Sequence, residues 1–299
     1  MAEVERELIS ALVSIGLQVS KCPYSLSNVA GNKDLGTHEE GDWSDTVYEE
    51  LNGQNIVALK PGAGSDVIVL GAHFDTTRDS PGADDNTSSL VALLEVARLL
   101  APLELDATLL FVAFDMEEIG YHGSRVFVRD QLPEPPKAAI VFESVGYTST
   151  EPGSQKTPPG FRLLYPRQAR KLKQCEYRGN WSAIVHRRNS RRLARRIADE
   201  LDGVSCENST ILMSDPGDLP LVGDLIRKVA PFVRNFGRSD HIAFWEQNIP
   251  AIMITDTANF RNPHYHQPSD LPDTLDYGHL RQVIAATAIA IEALAIGGS

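Results

Sequence analysis

The sequence predicts a three-layer αβα domain in which helices cover both faces of a central mixed, mainly parallel sheet. Two observations lead to this α/β fold class. Residues 67–72, 108–114 and 138–142 are apolar at nearly every consecutive position, as strands covered on both faces are. Segments with helical periodicity separate these runs, and an alternation of strand and helix is typical of a parallel sheet.

The elements in the first half of the chain follow from local patterns. Apolar residues at helical spacing predict an amphipathic helix over 3–17, and a polar loop is expected after it. A short β-branched run predicts a strand at 55–60. Apolar residues on one face predict a helix at 86–100, and a shorter helix is expected at 122–129.

The second half of the chain begins with an interruption. Residues 146–188 are rich in Gly, Pro and basic residues, and we expect them to form an insertion. A helix at 189–201, a strand at 251–255 and a helix at 277–296 follow. No repeat or linker is visible, so residues 1–299 are expected to form one domain.

The composition is that of a globular protein and excludes disordered and fibrous classes. Of 299 residues, 42% are hydrophobic and 23% are charged. Acidic residues outnumber basic ones by 40 to 28, and the formal net charge of -12 argues against nucleic acid as a partner. The segment from Lys156 to Arg196 differs, with thirteen Lys or Arg and one acidic residue. It either faces an anionic ligand, an acidic partner or the protein's own acidic face, or it forms a solvated helix with basic loops.

The cysteines and the N-terminal residues indicate the cellular compartment in which the protein is expected to lie. Cys22, Cys175 and Cys206 form no C-x-x-C pair and are too few for a disulfide framework, which favours a reducing compartment. The N-terminal residues include acids and lack the apolar core of a signal peptide. The most apolar stretch, Val283 to Ile291, is too short to span a bilayer. We expect a cytoplasmic protein with no membrane partner, and secretion stays open if a leader precedes this sequence.

Side chains that bind metals follow the predicted strands or precede the next helix. They are His73 and Asp75, Asp84 and Asp85, Glu117 and Glu118, Glu143, and His264 and His266. Taken singly, each group has an ordinary explanation, such as an Asp-Asp pair that caps a helix. Because ligands gather at the carboxyl ends of parallel strands, the five segments are expected to meet in one crevice. Several carboxylates so close together would repel one another without a cation, so a metal site is predicted.

Four sequence blocks around these residues carry a family resemblance. They are GAHFDTTRDSPGADDNTSSLVALLEVARLL, FVAFDMEEIGYHGS, VFESVGYTSTEPGSQ and SDHIAFWEQNIPAIMITDTANFRNPHYHQPSDLPDTLDY. In order and spacing they resemble the dizinc exopeptidases, a family that contains bacterial leucyl aminopeptidases, aminopeptidase Y, glutamate carboxypeptidases and glutaminyl cyclases. The resemblance implies a zinc-dependent exopeptidase fold, and it covers most of the chain.

The resemblance also implies a role for each residue. His73 and Glu143 would bind one zinc ion, Glu118 and His266 the other, and Asp85 would bridge the two. Asp75 would support His73 from outside the ligand set, as metal-bound histidines usually require. Asp240, in the Ser-Asp-His block, is expected to act from outside the ligand set in the same way. Glu117 matches the family's general base, which takes a proton from water and passes it to the leaving amine.

Three positions need a choice. Glu143 stands where many family members have Asp, and a glutamate still offers a hard oxygen to zinc. The tyrosine that some aminopeptidases place before Ser-Asp-His is Phe236 here, whereas Tyr265 matches the tyrosine of glutamate carboxypeptidases. Tyr265 is therefore expected to stabilise the oxyanion, with a packed loop tyrosine as the alternative. His264 competes with His266, and the family pattern Tyr-His-x-Pro-x-Asp favours His266.

These observations predict a metal-dependent peptide hydrolase with two zinc ions or other divalent metals, most simply an aminopeptidase acting on a peptide substrate. Three alternatives remain open: a glutaminyl cyclase with one zinc, a carboxypeptidase or other amide hydrolase of the same family, and a binding protein without catalysis. The complete ligand set argues against the cyclase and the binding protein. The motifs H-E-x-x-H, G-x-S-x-G and the P-loop do not occur in the sequence, so the chemistry that depends on them is not expected.

Overall fold

One mixed sheet organises the computed structural model, which describes residues 2–32, 45–204 and 210–296. Its strands are β1 (Gln18–Asn32), β2 (Asp45–Lys60), β3 (Val67–His73), β4 (Thr108–Phe114), β5 (Ala138–Glu143), β6 (Ser182–His186), β7 (Thr210–Ser214) and β8 (Ala251–Thr255). Their order across the sheet is β1-β2-β4-β3-β5-β8-β6-β7. The central strands β4, β3, β5 and β8 run parallel, whereas β1–β2, β2–β4 and β6–β8 are antiparallel pairs.

The parallel centre explains the consecutive apolar residues of its strands. In β3, Ile68 and Leu70 pack into the core on one face of the sheet, and Val69 packs into the core on the other. All three side chains are fully buried. Since successive side chains of a strand point to opposite faces, burial of both faces requires apolar residues throughout. The sheet and its two covered faces confirm the predicted α/β fold class.

Helices cover both faces of this sheet. They are α1 (Ala2–Ser14), α2 (Ser89–Leu100), α3 (His122–Val126), α4 (Phe161–Leu164), α5 (Pro166–Gln174), α6 (Arg191–Val204), α7 (Gly223–Val229), α8 (His241–Glu246) and α9 (Tyr277–Ala295). Helices α1, α2, α6 and α9 share one core, and α5 and α8 share the other. In the second core the rings of Phe114, Phe127 and Phe244 lie 5.6 to 6.4 Å apart. Within the described ranges, none of the helices combines the length and apolar composition that a membrane span requires.

The N-terminal region contains a long strand where the sequence predicts a polar loop. β1 pairs antiparallel with β2 along its length, and none of its residues is fully buried. Only residues 56–60 of β2 pair with β4, so most of this hairpin extends beyond the packed part of the sheet. Within β1, the half-buried Cys22, Tyr24 and Leu26 alternate with exposed Pro23, Ser25 and Ser27, a pattern of period two that was not recognised as a strand in the sequence. The loop prediction was therefore wrong for β1, and residues 33–44 lie outside the described residues.

The segment expected to be an insertion, residues 146–188, contains α4, α5 and the strand β6. β6 lies in the main sheet, where it pairs antiparallel with β8 and parallel with β7. All of its residues are buried, although it begins with Ser182 and ends with His186. β6 and β7 are short and include polar residues, so their sequence pattern was too weak to assign. Pairing with β8 makes β6 part of the framework that carries the site.

The basic side chains between Lys156 and Arg196 do not all lie on one surface of the protein. Arg187 donates a hydrogen bond to Asp215 Oδ2 at 3.0 Å and lies 4.4 Å over the ring of Trp245. The arginines of α6 are exposed on the outer side of that helix. The solvated-helix interpretation therefore accounts for α6, whereas Lys156 lines a pocket beside the candidate site.

Candidate active site

Six predicted site residues lie together at the carboxyl edge of the parallel strands. They are His73 at the end of β3, Asp85 in the turn before α2, Glu117 and Glu118 after β4, Glu143 at the end of β5, and His266 in the loop after β8. Each is at most 9% exposed. Parallel strands end at one edge of the sheet, which explains why residues far apart in sequence meet there.

The carboxylate of Asp85 lies between the two histidines. Its Oδ1 is 3.3 Å from Nε2 of His73, and its Oδ2 is 3.0 Å from Nε2 of His266. Glu143 Oε2 lies 3.3 Å from the same His73 nitrogen, and Glu118 Oε2 lies 3.2 Å from that of His266. The ligand atoms therefore form two groups of three that share Asp85, and His73, Glu117 and Glu118 form a third possible group without it.

Burial and close contact shift the pKa values of this cluster. Burial alone would lower the pKa of His266, but the charge of Glu118 and hydrogen bonds with Asp85 and Glu118 raise it to about 10. Burial raises the pKa of Glu118 to about 7, and the charge of Asp85 adds to the effect. Burial would also raise the pKa of Asp85, yet hydrogen bonds from His266 and His73 hold it below its usual range. Bound protons therefore compensate part of the negative charge of these carboxylates. A metal cation could compensate the same charge.

The donor atoms fit a pair of divalent metal ions. His73 Nε2, Asp85 Oδ1 and Glu118 Oε1 are buried, and no described residue outside the cluster forms a hydrogen bond with them. Ligand atoms about 2.0–2.2 Å from one zinc ion lie roughly 3.3 Å apart in tetrahedral geometry, close to the separations measured here. Imidazole nitrogen and carboxylate oxygen are donors that zinc accepts. Three protein ligands would leave the fourth tetrahedral position of a zinc ion to water or substrate, as in catalytic zinc sites.

Asp75 orients the two glutamates as well as His73. Its Oδ1 accepts a hydrogen bond from the backbone N–H of Glu117 at 3.1 Å, and its Oδ2 accepts one from that of Glu118 at 3.2 Å. Nδ1 of His73 lies 3.0 Å from the backbone oxygen of Asp75 and 3.4 Å from its Oδ1. The role expected for Asp75, support of His73, therefore extends to both glutamates.

Asp270 plays the corresponding part for the turn Ala83–Ser88, and the sequence analysis assigned it no role. Its carboxylate accepts hydrogen bonds from the backbone N–H of Asp84 at 3.0 and 3.2 Å and from that of Asp85 at 3.2 Å. Gly82 precedes the turn with φ of 69°, where a Cβ would lie 2.8 Å from the backbone oxygen of Asp85. Asp270 is the last residue of the Tyr-His-x-Pro-x-Asp pattern, which was the signal that could have identified it.

The Ser-Asp-His block supports the cluster from β8's side. Ser239, which the sequence analysis also missed, donates a hydrogen bond to Glu143 Oε2 at 2.8 Å. Asp240 is fully buried, and burial raises its pKa to about 7, while the charge of His73 opposes the shift. His241 makes a hydrogen bond with the backbone oxygen of Phe236, and burial lowers its pKa to about 4. A neutral His241 held by this hydrogen bond is a structural residue.

Tyr265 and His264 lie differently, although they are neighbours of His266. The ring of Tyr265 stacks on that of His266 at a centroid distance of 3.9 Å. Burial and the charge of Asp85 raise the pKa of Tyr265 well above its usual value, so its hydroxyl stays protonated. His264 instead contacts Ser269 Oγ through Nδ1 at 2.9 Å and faces Tyr147. The structure therefore places His266, and not His264, beside Asp85.

Two adjoining pockets open beside the cluster. The smaller, of about 120 Å³, reaches Glu143 and Tyr265 and is lined mainly by apolar and aromatic side chains, which include Phe161, Leu172, Trp181, Val185, Phe236 and Met253. The larger, of about 910 Å³, reaches Tyr265 and His266 and is more polar. Lys156, Arg238 and Tyr265 border both pockets, so a bound molecule could extend from one into the other.

Comparison with protein families identifies the class to which this fold and site belong. The model of peptidase family M28 matches residues 55–186 and 200–291, which include all six clustered residues. The chain belongs to peptidase family M28.

Two relatives show how far the similarity extends in sequence. The uncharacterized protein YfbL of Escherichia coli K12 is 35% identical over 245 residues, which make up 77% of this chain and 68% of YfbL. Aminopeptidase YwaD of Bacillus subtilis is 39% identical over 91 residues, 29% of this chain and 20% of YwaD. The aligned part thus covers about a fifth of that aminopeptidase.

Solved structures share the fold. BSAP, a zinc aminopeptidase from Bacillus subtilis, superimposes with a TM-score of 0.68 at 14% identity and covers 100% of this chain and 90% of its own. Glutaminyl cyclase from Porphyromonas gingivalis gives a TM-score of 0.62 at 18% identity, covering 97% of this chain and 88% of its own. At these identities the likeness concerns architecture, and the reaction has to be argued from the site.

The contacts of Asp270 lead to a testable expectation. Asp270→Asn replaces one acceptor oxygen by an amide group that opposes the backbone N–H groups of Asp84 and Asp85. Zinc affinity should fall by roughly 10–100-fold, as when other residues that orient metal ligands are changed. Titration against a chromophoric chelator measures it. Asp273→Asn, an exposed change in the same loop, is the control. Equal affinities in the two variants would contradict the role given to Asp270.

Proposed function

We propose that this protein is an aminopeptidase that holds two divalent metal ions, zinc by the nature of the donors, and hydrolyses the first bond of a peptide. The observation that carries the proposal is the position of Asp85, with one oxygen toward each histidine. His73, Asp85 and Glu143 would hold one ion, and Asp85, Glu118 and His266 the other. The named activity of YwaD supports the choice of aminopeptidase within the family.

Glu117 is the proposed general base. Two divalent ions held in the cluster would activate a water molecule for attack and polarise the scissile carbonyl. Glu117 Oε2 lies 4.0 Å from Nε2 of His73, beside the ligands but outside the two groups that share Asp85. It would take a proton from the attacking water and pass it to the nitrogen of the leaving amine. Burial raises the pKa of Glu117 well above its usual range, and the charge of His73 opposes the shift.

Tyr265 is the proposed donor to the oxyanion. Its protonated hydroxyl, on a ring that borders both pockets, can donate a hydrogen bond to the carbonyl oxygen as negative charge develops there. Phe236, at the position where some aminopeptidases have the tyrosine, has no donor and instead stacks on Tyr165 at 5.5 Å. This arrangement supports Tyr265 over an arrangement in which the metal ions act alone on the oxyanion.

A glutaminyl cyclase with one zinc is the second candidate, because such an enzyme shares the fold. Two complete groups of ligands around Asp85 favour the hydrolase. A carboxypeptidase would use the same ligands, so only the substrate distinguishes it from an aminopeptidase. A cytoplasmic location forms part of the proposal and is supported by the free thiols of Cys22 and Cys175, whereas Cys206 lies outside the described residues.

The number of bound metal ions and the end of the peptide that is cleaved test the proposal together. Protein freed of metal by a chelator should bind two equivalents of zinc and regain hydrolysis of leucine p-nitroanilide, while the N-acetylated substrate stays uncut because it lacks the free amine. A plateau at one equivalent, with cyclisation of N-terminal glutamine, would favour the cyclase. Release of C-terminal residues from acetylated peptides would instead identify a carboxypeptidase.

The two adjacent glutamates should differ when each is changed to glutamine. Glu117→Gln removes proton transfer but no metal ligand, so it should keep both zinc ions and lose roughly 10²–10⁴-fold in kcat. Glu118→Gln weakens a ligand and should lose zinc as well as activity. Elemental analysis and steady-state kinetics of both variants make the comparison. Equal zinc loss in the two would show that their roles are wrongly assigned.

Tyr265→Phe removes one hydroxyl and keeps the ring that stacks on His266. Loss of an oxyanion donor should lower kcat by roughly 10²-fold or more and leave KM nearly unchanged, because the hydrogen bond strengthens only in the transition state. Kinetics at saturating zinc on leucine p-nitroanilide measure both constants. An unchanged kcat would return Tyr265 to the role of a packed loop residue.

A further inference from the structure

The larger pocket, beside Tyr265 and His266, is lined by cationic side chains. Among the described residues that line it, Lys156, Arg238 and Arg261 are cationic, and no Asp or Glu occurs. The protein as a whole has a net charge of -12, so this local excess of positive charge runs against the overall balance. A concave surface of this kind attracts anionic groups.

The three cations differ in how far neighbouring groups compensate them. Arg261 is buried, donates through Nε to Gln155 Oε1 at 2.9 Å and lies 4.6 Å over the ring of Trp181. Burial lowers the pKa of Arg261 to about 10, and the charges of Asp256 and Asp84 oppose that shift. Asp256 and Asp84 therefore compensate part of the charge of Arg261, while its buried Nη2 has no hydrogen-bond partner among the described residues.

Lys156 is the cation with the most freedom to meet a ligand. Its backbone N–H donates to the oxygen of Phe260 at 2.7 Å, which fixes the position of its Cα at the border of both pockets. Its side chain is exposed, and no described carboxylate forms an ion pair with its ammonium group. Arg238, also on the border, lies closer to the cluster: burial lowers its pKa, but neighbouring groups that include Glu117 and Glu143 raise it overall.

The acidic cluster lies beside the smaller pocket, which Glu143 borders. Glu143 and Glu117 have the proposed roles of metal ligand and base there. The cationic lining of the larger pocket would repel the free ammonium group of a peptide and attract its carboxylate. A ligand with an ammonium group at one end and a carboxylate at the other matches this polarity.

We propose that the preferred substrates are short peptides, dipeptides above all, whose free C-terminal carboxylate is bound in the larger pocket by Lys156 and Arg238. This inference rests on the proposed aminopeptidase function and adds recognition of the leaving end. The smaller pocket then receives an apolar side chain of the first residue. An acidic side chain could supply the same carboxylate, so the two sources have to be separated by experiment.

Three substrates given to the zinc-loaded protein distinguish a C-terminal carboxylate from a side-chain carboxylate. They are Leu-Leu, Leu-Leu amide and Leu-Asp amide. Leu-Leu should be hydrolysed with a kcat/KM about fivefold or more above that of Leu-Leu amide, mainly through KM, because one charge interaction at a partly exposed site has about that effect. The preference should decline at high salt, which screens the interaction. Leu-Asp amide should not share the advantage of Leu-Leu.

Variants then assign the preference to Lys156. Lys156→Gln should lower the ratio of kcat/KM for Leu-Leu to that for Leu-Leu amide by about fivefold, and Lys156→Arg should preserve the ratio because the charge remains. Lys173→Gln is the matched control, since it removes the same charge from the same basic segment and lies outside both pockets. It should leave the ratio as in the parent protein.

The outcomes are distinct. Equal kcat/KM for Leu-Leu and its amide, or an equal fall of the ratio in the Lys156→Gln and Lys173→Gln proteins, would overturn the inference while the aminopeptidase function stands. A preference for Leu-Asp amide that Lys156→Gln abolishes would assign the pocket to acidic side chains and overturn recognition of the C-terminus. Failure to hydrolyse any of the three would overturn the proposed function and this inference with it.

Discussion

The carboxylate of Asp85, between two imidazoles, is the arrangement on which the rest of the site depends. Its oxygens face His73 at the end of a central strand and His266 in a loop nearly two hundred residues later. Asp270, from the loop that carries His266, accepts hydrogen bonds from the backbone of Asp84 and Asp85. The turn before α2 and the loop before α9 are therefore locked together. A disturbance of either would move both groups of ligands, which is why the supporting hydrogen bonds matter as much as the ligands themselves.

Burial of so many acidic groups at one edge of the sheet costs free energy unless other groups compensate their charge. An ionised carboxylate out of water needs hydrogen bonds or a nearby positive charge. Asp75 meets this need with the backbone N–H groups of Glu117 and Glu118, and Ser239 supplies a donor to Glu143. Where such donors are few, burial raises the pKa, as for Asp240 and Glu118. Divalent cations would satisfy the groups that remain, so metal binding and stability of this edge are linked.

The architecture by itself does not decide the reaction. A zinc aminopeptidase and a glutaminyl cyclase share it, so the sheet and its helices do not distinguish hydrolysis from cyclisation. Loops contribute Lys156 and Arg238 to both pockets, whereas strands and helices contribute apolar side chains such as Phe161, Val185 and Met253 to the smaller one. These side chains set the apolar and cationic character of the crevice, and with it the kind of molecule that can reach the clustered groups.

The sequence by itself determined the fold class and the strand ends at which the candidate residues lie, because parallel strands buried on both faces leave consecutive apolar runs. The family resemblance then selected the six clustered residues from those candidates. The short strands β6 and β7 were not assigned because their places depend on pairing with distant strands, and the half-buried alternation of β1 was not recognised. It also missed Asp270 and Ser239, since a carboxylate or hydroxyl that bonds a remote partner has no local signature. The basic segment shows the same limit. Its excess of positive charge is visible in the sequence. Only the tertiary structure shows that Arg187 pairs with Asp215, that the arginines of α6 face solvent and that Lys156 borders the crevice. Local composition does not determine the direction of a side chain or its contacts with distant residues.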